Sequence, residues 1–152
     1  RHRPVTANIA LPAMHRFSRF GLIRRALLKG RSEELMRDVQ LRPFDVSRPI
    51  GNFSGGNQQK AIIGRWLATD TSIFLFDEPT RGIDVGAKAE IYALIERLAR
   101  EGRSILVVSS ELPEVMRLAD RVLVMREGRI AAELGQGQIC EENIARHAIP
   151  AA

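Results

Sequence analysis

The sequence predicts an α/β domain with a parallel sheet and flanking helices, preceded by a helical segment and followed by a β-hairpin. An apolar run ends in Asp77-Glu78, as expected for a buried strand that brings two carboxylates to the C-terminal edge of a sheet. A later segment has apolar residues at helical spacing, namely Ile91, Leu94, Ile95 and Leu98. Strand, helix and strand in this order predict a right-handed parallel crossover.

The same patterns predict the order of the elements. Three segments are expected: a helical segment at 1–50, an α/β core at 51–134 and a tail at 135–152. In the first segment the pattern predicts helices at 15–29 and 31–40, separated by Gly30, with Ser32 as an N-cap. In the core it predicts helices at 57–69, 87–101 and 112–119, strands at 72–77 and 104–109, and a hairpin over 122–133. The tail from Gln136 is expected to be a small helix or a frayed end.

Composition limits the class of protein. The 152 residues, 45% of them hydrophobic, are enough for one domain with a core. The single cysteine, Cys140, cannot form an internal disulfide, which favours a reducing compartment. No apolar run approaches the roughly eighteen residues of a membrane span, and the start lacks the apolar core of a signal peptide. We therefore expect a cytoplasmic protein, and the lack of an initiating Met suggests a piece of a longer polypeptide.

Positive charge is concentrated at the front of the chain. Residues 1–48 hold eleven Lys and Arg against four Asp and Glu, whereas residues 49–152 hold twelve against fourteen. Such a balance is compatible with nucleic-acid binding. However, the arginines alternate with apolar residues, which is typical of the solvated faces of amphipathic helices. Solvated faces are the preferred interpretation, contact with a membrane-embedded partner is the next, and no nucleic-acid partner is expected.

Two motifs carry phosphate chemistry. In the first, Ser54-Gly55-Gly56 opens a predicted helix, so that backbone N–H groups and a hydroxyl lie at a positive helix end that can hold an anion. A simple helix cap is the structural alternative. In the second, Asp77 is expected to hold Mg²⁺, and Glu78 to orient and deprotonate the attacking water of a phosphoryl transfer. The alternative is a strand that merely ends in acidic turn residues.

Together these motifs resemble the ATP-binding domain of ABC transporters, which has a P-loop NTPase-like fold. The resemblance implies that Ser54, Gly55, Gly56, Asn57 and Gln58 form the signature motif, which binds ATP held by another domain. It also implies that 73–78 is the Walker B strand.

The resemblance extends beyond these two motifs. Asp84 resembles the aspartate that crosses the dimer interface in this family, with a turn-forming aspartate as the alternative. For Gln59 and Lys60 the sequence does not decide between a role in the site and a plain position on the helix. The segments at 77–88 and 108–114 narrow the likeness to the second ATPase half of importers for ribose, xylose, arabinose and galactosides.

One position departs from the wider family. Where most ABC ATPases have a histidine after the strand that follows Walker B, this chain has Ser110. A serine can hydrogen-bond a γ-phosphate but cannot act as an imidazole base. We expect Ser110 to contact nucleotide in a slow hydrolytic site, and we take it as a mark of the sugar-importer subgroup.

The resemblance also implies partners and a location. These are a second nucleotide-binding half, transmembrane permease subunits and, indirectly, a periplasmic sugar-binding protein, at the cytoplasmic face of the membrane. No Gly-x-x-x-x-Gly-Lys-Ser/Thr loop occurs in the chain, so we expect it to be inactive alone. A DNA-repair or chromosome-organising ATPase and a non-catalytic binding module remain the alternatives, and the absence of a heptad run before Ser54 disfavours the former.

Overall fold

A computed structural model describes residues 3–149 of the chain. Residues 1, 2 and 150–152, at the ends of the predicted segments 1–50 and 135–152, lie outside the described residues. The chain divides into two compact units. The first contains the residues up to Phe74 together with Pro79–Leu106, and the second contains Leu75–Glu78 together with the residues from Val107 onward.

The described residues form helices and short strands. The helices are α1 (Val5–Ala10), α2 (Met14–Phe17), α3 (Arg25–Asp38), α4 (Gly55–Leu67), α5 (Val85–Arg100), α6 (Leu112–Leu118) and α7 (Glu141–Ala148). The strands are β1 (Ser18–Arg19), β2 (Leu22–Ile23), β3 (Ile73–Asp77), β4 (Ser104–Val108), β5 (Arg121–Arg126) and β6 (Arg129–Gly135). Short 3₁₀ turns lie at Leu11–Ala13, Ile50–Asn52 and Gln136–Gln138. None of the helices within residues 3–149 is both long and apolar enough to cross a bilayer.

Packing of α1, α3, α4 and α5 forms the core of the first unit. Helix α4 contacts the other three, and α1 also contacts α3. The largest fully buried apolar side chains come from these helices, namely Val5, Ile9, Leu35, Met36, Ile63 and Ile91. Full burial of one such side chain contributes about 1.5–3 kcal/mol. The core therefore holds α4, which begins at the Ser-Gly-Gly motif, at the centre of the unit.

The predicted helix at 15–29 is wrong. Its place is taken by the short α2 and by the β1–β2 hairpin, in which Ser18 pairs with Ile23 and Arg19 with Leu22. The hairpin turn has positive φ at both Phe20 and Gly21, a conformation that a helix does not allow. The helical pattern of apolar residues was misleading here because most of these side chains remain exposed.

The predicted break at Gly30 is also wrong, because α3 continues through this residue. Ser32 is a buried residue within α3, and its hydroxyl donates to the carbonyl of Leu28 at 2.7 Å. A serine inside a helix satisfies its hydroxyl in this way, so Ser32 does not act as an N-cap. The helix α1 was not predicted.

Strands β3 and β4 pair with each other as predicted, with α5 between them in the chain. Ser104 donates its N–H to the carbonyl of Ser72 at 2.9 Å, and Glu78 donates to the carbonyl of Val108 at 2.8 Å. The two strands therefore start together and end together, as parallel strands do. This register places Asp77 and Glu78 at the same end as residues 108–110.

The second unit contains the predicted C-terminal hairpin. Strands β5 and β6 pair antiparallel, with a register shift after Val124. Val122, Val124 and Leu134 pack with Ile144 of α7 in a small core. The tail therefore forms a short helix that covers the hairpin.

An ion pair fixes the end of α4 in the first unit. The Arg16 guanidinium donates a hydrogen bond to the Asp70 carboxylate and forms an ion pair with it. A guanidinium nitrogen of Arg31 lies 4.0 Å from the other oxygen of the same carboxylate. The hydrogen bond and charge of Arg16 lower the pKa of Asp70. Because the folded pKa is lowered, this interaction stabilises the fold above the ordinary aspartate pKa and loses its effect as the pH falls through the lowered value.

We predict that Asp70→Asn lowers the midpoint of urea unfolding at about pH 6 and has a smaller effect at about pH 3, below the ordinary aspartate pKa, because the stabilisation is lost as the pH falls through the lowered pKa of Asp70. Asparagine tolerates the positive φ of residue 70, so the backbone should be unaffected. Asp38→Asn, at an exposed aspartate that forms no ion pair within the described chain, is the matched control. An equal effect of Asp70→Asn at both pH values would contradict the prediction.

Candidate functional site

The N-terminus of α4 presents the Ser54 hydroxyl. Ser54 is the exposed N-cap of α4, and its Oγ accepts from the side-chain amide of Asn57 at 2.9 Å and, more weakly, from the Asn57 N–H at 3.5 Å. In both contacts the serine oxygen is the acceptor. The Ser54 O–H therefore remains available to donate to an anion in front of the helix.

The amides that follow Ser54 hold the loop around it. Asn57 Oδ1 accepts from the backbone N–H of Arg42 at 2.9 Å, and the Gln58 side chain donates to the carbonyl of Phe53 at 2.8 Å. Both side chains thus have structural partners within the first unit. Arg42 is not among the predicted site residues. It contributes only its backbone N–H, so its side chain gives no signal in the sequence.

Gly56 allows α4 and α5 to approach closely, and Gly55 packs against the segment before α5. A Cβ atom on Gly56 would lie 2.4 Å from the Cβ of Ala87 in α5, a separation that real structures do not show. A Cβ on the exposed Gly55 would lie 3.3 Å from Ile83 Cγ2. Close packing of α4 against α5 therefore requires a glycine at the buried position 56, in addition to any contact of this residue with nucleotide.

Lys60, which the sequence left open, is a buried helix-packing residue. Its side chain is only 4% exposed, and Nζ lies 2.7 Å from Glu90 of α5. Nζ also donates to the carbonyl of Gln40 at 3.1 Å. A buried lysine with both a carboxylate and a carbonyl partner offsets its desolvation cost. Lys60 thus ties α4 to α5 and to the end of α3.

Asp84 is the N-cap of α5. Its Oδ1 accepts from the backbone N–H of Ala87 at 2.9 Å, and the residue is exposed. Asp84 therefore has a local structural role as a helix cap, which differs from the turn-forming role given as the alternative. An additional role across a dimer interface stays a prediction.

The end of β3 presents the two carboxylates. Asp77 is exposed, and no hydrogen bond to its carboxylate occurs within residues 3–149. Glu78 has φ +48, a left-handed conformation that is uncommon for residues other than glycine, asparagine and aspartate. Such a backbone costs about 1–3 kcal/mol and persists where the surroundings enforce it.

Strand β4 and the loop after it enforce the Glu78 conformation. The Glu78 N–H donates to the Val108 carbonyl at 2.8 Å, and Glu78 Oε1 accepts from the backbone N–H of Ser110 at 3.0 Å. Ser110 thus contacts the carboxylate through its backbone, while the residue itself is exposed. This hydrogen bond orients the Glu78 carboxylate.

The predicted residues fall into two groups. Ser54, Gly55, Gly56, Asn57, Gln58 and Asp84 lie in the first unit, and Asp77, Glu78 and Ser110 lie in the second. Within the described part of the chain, no three His, Cys, Asp or Glu side chains come together as a metal site. A Mg²⁺ ion bound at Asp77 would therefore need ligands other than a group of three such side chains.

Comparison with known proteins decides the family. The ABC transporter family pattern matches residues 9–81. The ribose import ATP-binding protein RbsA of Jannaschia sp. is 43% identical over 145 residues, which is 95% of this chain and 28% of that protein. The arabinose import ATP-binding protein AraG of Rhizobium meliloti is 46% identical over 149 residues, which is 97% of this chain and 29% of that protein. The chain belongs to the ABC transporter ATP-binding family.

Solved structures show the ABC ATPase fold. A dimeric ATP-binding cassette in a post-hydrolysis state, bound to ADP and Pi, has a TM-score of 0.72 at 23% identity and covers 88% of this chain and 57% of that one. A nucleotide-free ATP-binding cassette from an ABC transporter has a TM-score of 0.76 at 21% identity, covering 96% of this chain and 59% of that one. The predicted fold is confirmed. The chain spans less than a third of the length of RbsA and of AraG.

We predict that Gly56→Ala destabilises the first unit by about 1–3 kcal/mol, because the added methyl group overpacks the contact with Ala87. Gly30→Ala in α3, where an added Cβ meets no atom within 4 Å, is the matched control and should be neutral or stabilising. Urea unfolding of the two variants measures the difference. Equal stability of both variants would show that α4 and α5 are not in close contact.

Proposed function

We propose that this chain supplies the signature motif and the Walker B carboxylates of an ATP-hydrolysing protein that drives sugar import. The observation that carries the proposal is the arrangement at the end of β3, where Glu78 is held in a left-handed conformation with its carboxylate oriented by the Ser110 N–H. The importer names of RbsA and AraG support sugar as the transported class.

The Ser54 end of α4 suits a phosphate group. It combines an available hydroxyl donor, the first backbone N–H groups of the helix and the positive end of the helix dipole. In this proposal Ser54, Gly55 and Gly56 contact the phosphates of ATP bound by another domain, and Asn57 and Gln58 keep the loop in position.

The carboxylates suit the hydrolytic step. Mg²⁺, when bound, neutralises phosphate charge, and the exposed Asp77 carboxylate is free to hold it through water. Glu78 orients the attacking water and accepts its proton. Asp84 completes the interface with the second nucleotide-binding half, and the Ser110 side chain contacts nucleotide in a site of slow turnover.

The partners follow from the same proposal. They are a second nucleotide-binding half, permease subunits in the membrane and, through them, a periplasmic sugar-binding protein, with this protein at the cytoplasmic face. No nucleic-acid partner is proposed, because neither group of candidate residues uses the basic front segment.

We predict that Ser54→Gly in the full-length ATP-binding protein, assembled with its permease, lowers sugar uptake and ATPase activity by about tenfold or more, as expected for the loss of a hydrogen bond to a charged group. Glycine is nearly as good an N-cap as serine, so the folding stability should change by only a few tenths of a kcal/mol. Ser72→Ala, at an exposed serine before β3, is the control.

The outcome distinguishes a ligand contact from a helix cap. Loss of activity with unchanged thermal unfolding supports the contact with nucleotide. Full activity of Ser54→Gly would show that Ser54 is only a cap, and the trans-site role would be wrong.

We also predict that Glu78→Gln lowers ATPase activity at this site by about 10²-fold or more, because glutamine keeps the hydrogen bond from Ser110 but cannot accept a proton. Glu127→Gln is the matched control, since Glu127 also has positive φ, at 51°, but lies in the β5–β6 turn. If the site is slow, total turnover falls less than for the same change in the other nucleotide-binding half. A greater fall in total turnover for Glu78→Gln than for the same change in the other half would contradict the assignment of slow turnover to this site.

A further inference from the structure

The β1–β2 hairpin exposes three apolar side chains. Phe20 is 91% exposed and Leu22 is 75% exposed, and Ile23 beside them is also exposed. Register places Leu22 opposite Arg19 and Ile23 opposite Ser18. Contiguous exposed apolar side chains of this kind mark interaction surfaces.

Phe20 occupies a position that does not suit it. Its φ is +52 in a turn whose next residue is Gly21, with φ +77, and such turns favour asparagine or glycine at both positions. A bulky residue at positive φ is an outlier that costs stability. The phenylalanine is not compensated by burial, so packing within the described chain does not explain its presence in this turn.

Uncompensated positive charge surrounds the hairpin. No acidic residue occurs between Arg3 and Ser32. Arg16 and Arg31 have carboxylate partners, whereas Arg19, Arg24 and Arg25 are exposed and form no ion pair with any residue among 3–149. Arg19 instead stacks on the Phe20 ring, with 5.4 Å from Cζ to the ring centroid.

We propose that the hairpin, with Phe20, Leu22 and Ile23 at its exposed surface, binds the surface of a bilayer that contains anionic phospholipids. The ring and the aliphatic side chains enter the boundary of the acyl chains, and the arginines remain at the level of the lipid phosphates. The charge complementarity specifies anionic headgroups. Nucleic acid fits less well, because Phe20 is the one member of this surface with a flat ring on which a base could stack, and Arg19 already stacks on that ring, whereas Leu22 and Ile23 have no such face.

This surface is independent of the ATP-dependent chemistry, since it includes none of the candidate site residues. It would hold the first unit directly against lipid, as a contact additional to any contact with a permease. The apolar part and the basic part should both be necessary, because a single weak anchor gives only marginal membrane binding.

The test is co-sedimentation of the full 152-residue chain with vesicles. We expect binding to vesicles with equal amounts of phosphatidylcholine and phosphatidylglycerol, little binding to pure phosphatidylcholine, and a decrease as salt is raised. Phe20→Asn should weaken binding by about tenfold or more. Arg24→Gln and Arg25→Gln should each weaken it by about fivefold.

Folding and specificity have separate controls. Phe20→Asn should unfold at the same or a higher temperature than the unaltered chain, because asparagine accepts the left-handed conformation. Phe44→Asn is the matched control, since Phe44 is also exposed and stacked with an arginine, Arg37. Its vesicle binding should be unchanged.

Three results would overturn the proposal: equal binding to neutral and anionic vesicles, equal loss in Phe20→Asn and Phe44→Asn, or binding only to membranes that carry a permease. The last result would assign the hairpin to a protein partner.

Discussion

The close approach of α4 and α5 is the constraint on which the first group of candidate residues depends. Gly56 and Ala87 leave no space for a side chain between the two helices, and Gly55 makes a less tight contact with Ile83, just before α5. Because these contacts lie at the N-terminal ends of both helices, they hold Ser54 and Asp84, the two N-caps, at neighbouring helix ends. One turn further along, the buried Lys60 and its partner Glu90 fix the same contact. A motif typical of phosphate binding is therefore also a packing motif.

The second group depends on backbone geometry at the end of a parallel strand pair. Glu78 leaves β3 in a left-handed conformation, and the Val108 carbonyl and Ser110 N–H bind its backbone and its carboxylate. Residues held in sparsely populated backbone conformations cluster at functional sites, although Asp70 and Glu127 show that a charged residue can take positive φ without such a role. At Glu78 the carboxylate is held in addition to the backbone, which supports its proposed reactive role, and the exposed Asp77, which continues the strand, fits the proposed role of a ligand.

Elements with a strong hydrophobic pattern could be predicted from the sequence. Elements that depend on local backbone conformation could not. The strand at 72–77 and the helix at 87–101 were each within two residues of β3 and α5, because a continuous apolar run marks the strand and apolar residues at helical spacing mark the helix. The helix at 15–29 was wrong because apolar spacing does not reveal that Phe20 and Gly21 take positive φ. The roles of Asn57 and Lys60 could not be predicted either, since their partners, the Arg42 N–H and the Gln40 carbonyl, are backbone groups from another part of the chain.

Packing and the proposed contact with phosphate involve different residues of one short motif. Gly56 is required by packing against α5, and Asn57 and Gln58 bind the loop around the helix start, so substitution of any of them disturbs the position of the helix before it disturbs a ligand. Ser54 differs, since its oxygen accepts from Asn57 while its hydroxyl donates to no partner in the described chain. Ser54 is therefore the member of the motif at which a loss of activity can be attributed to a lost contact with phosphate.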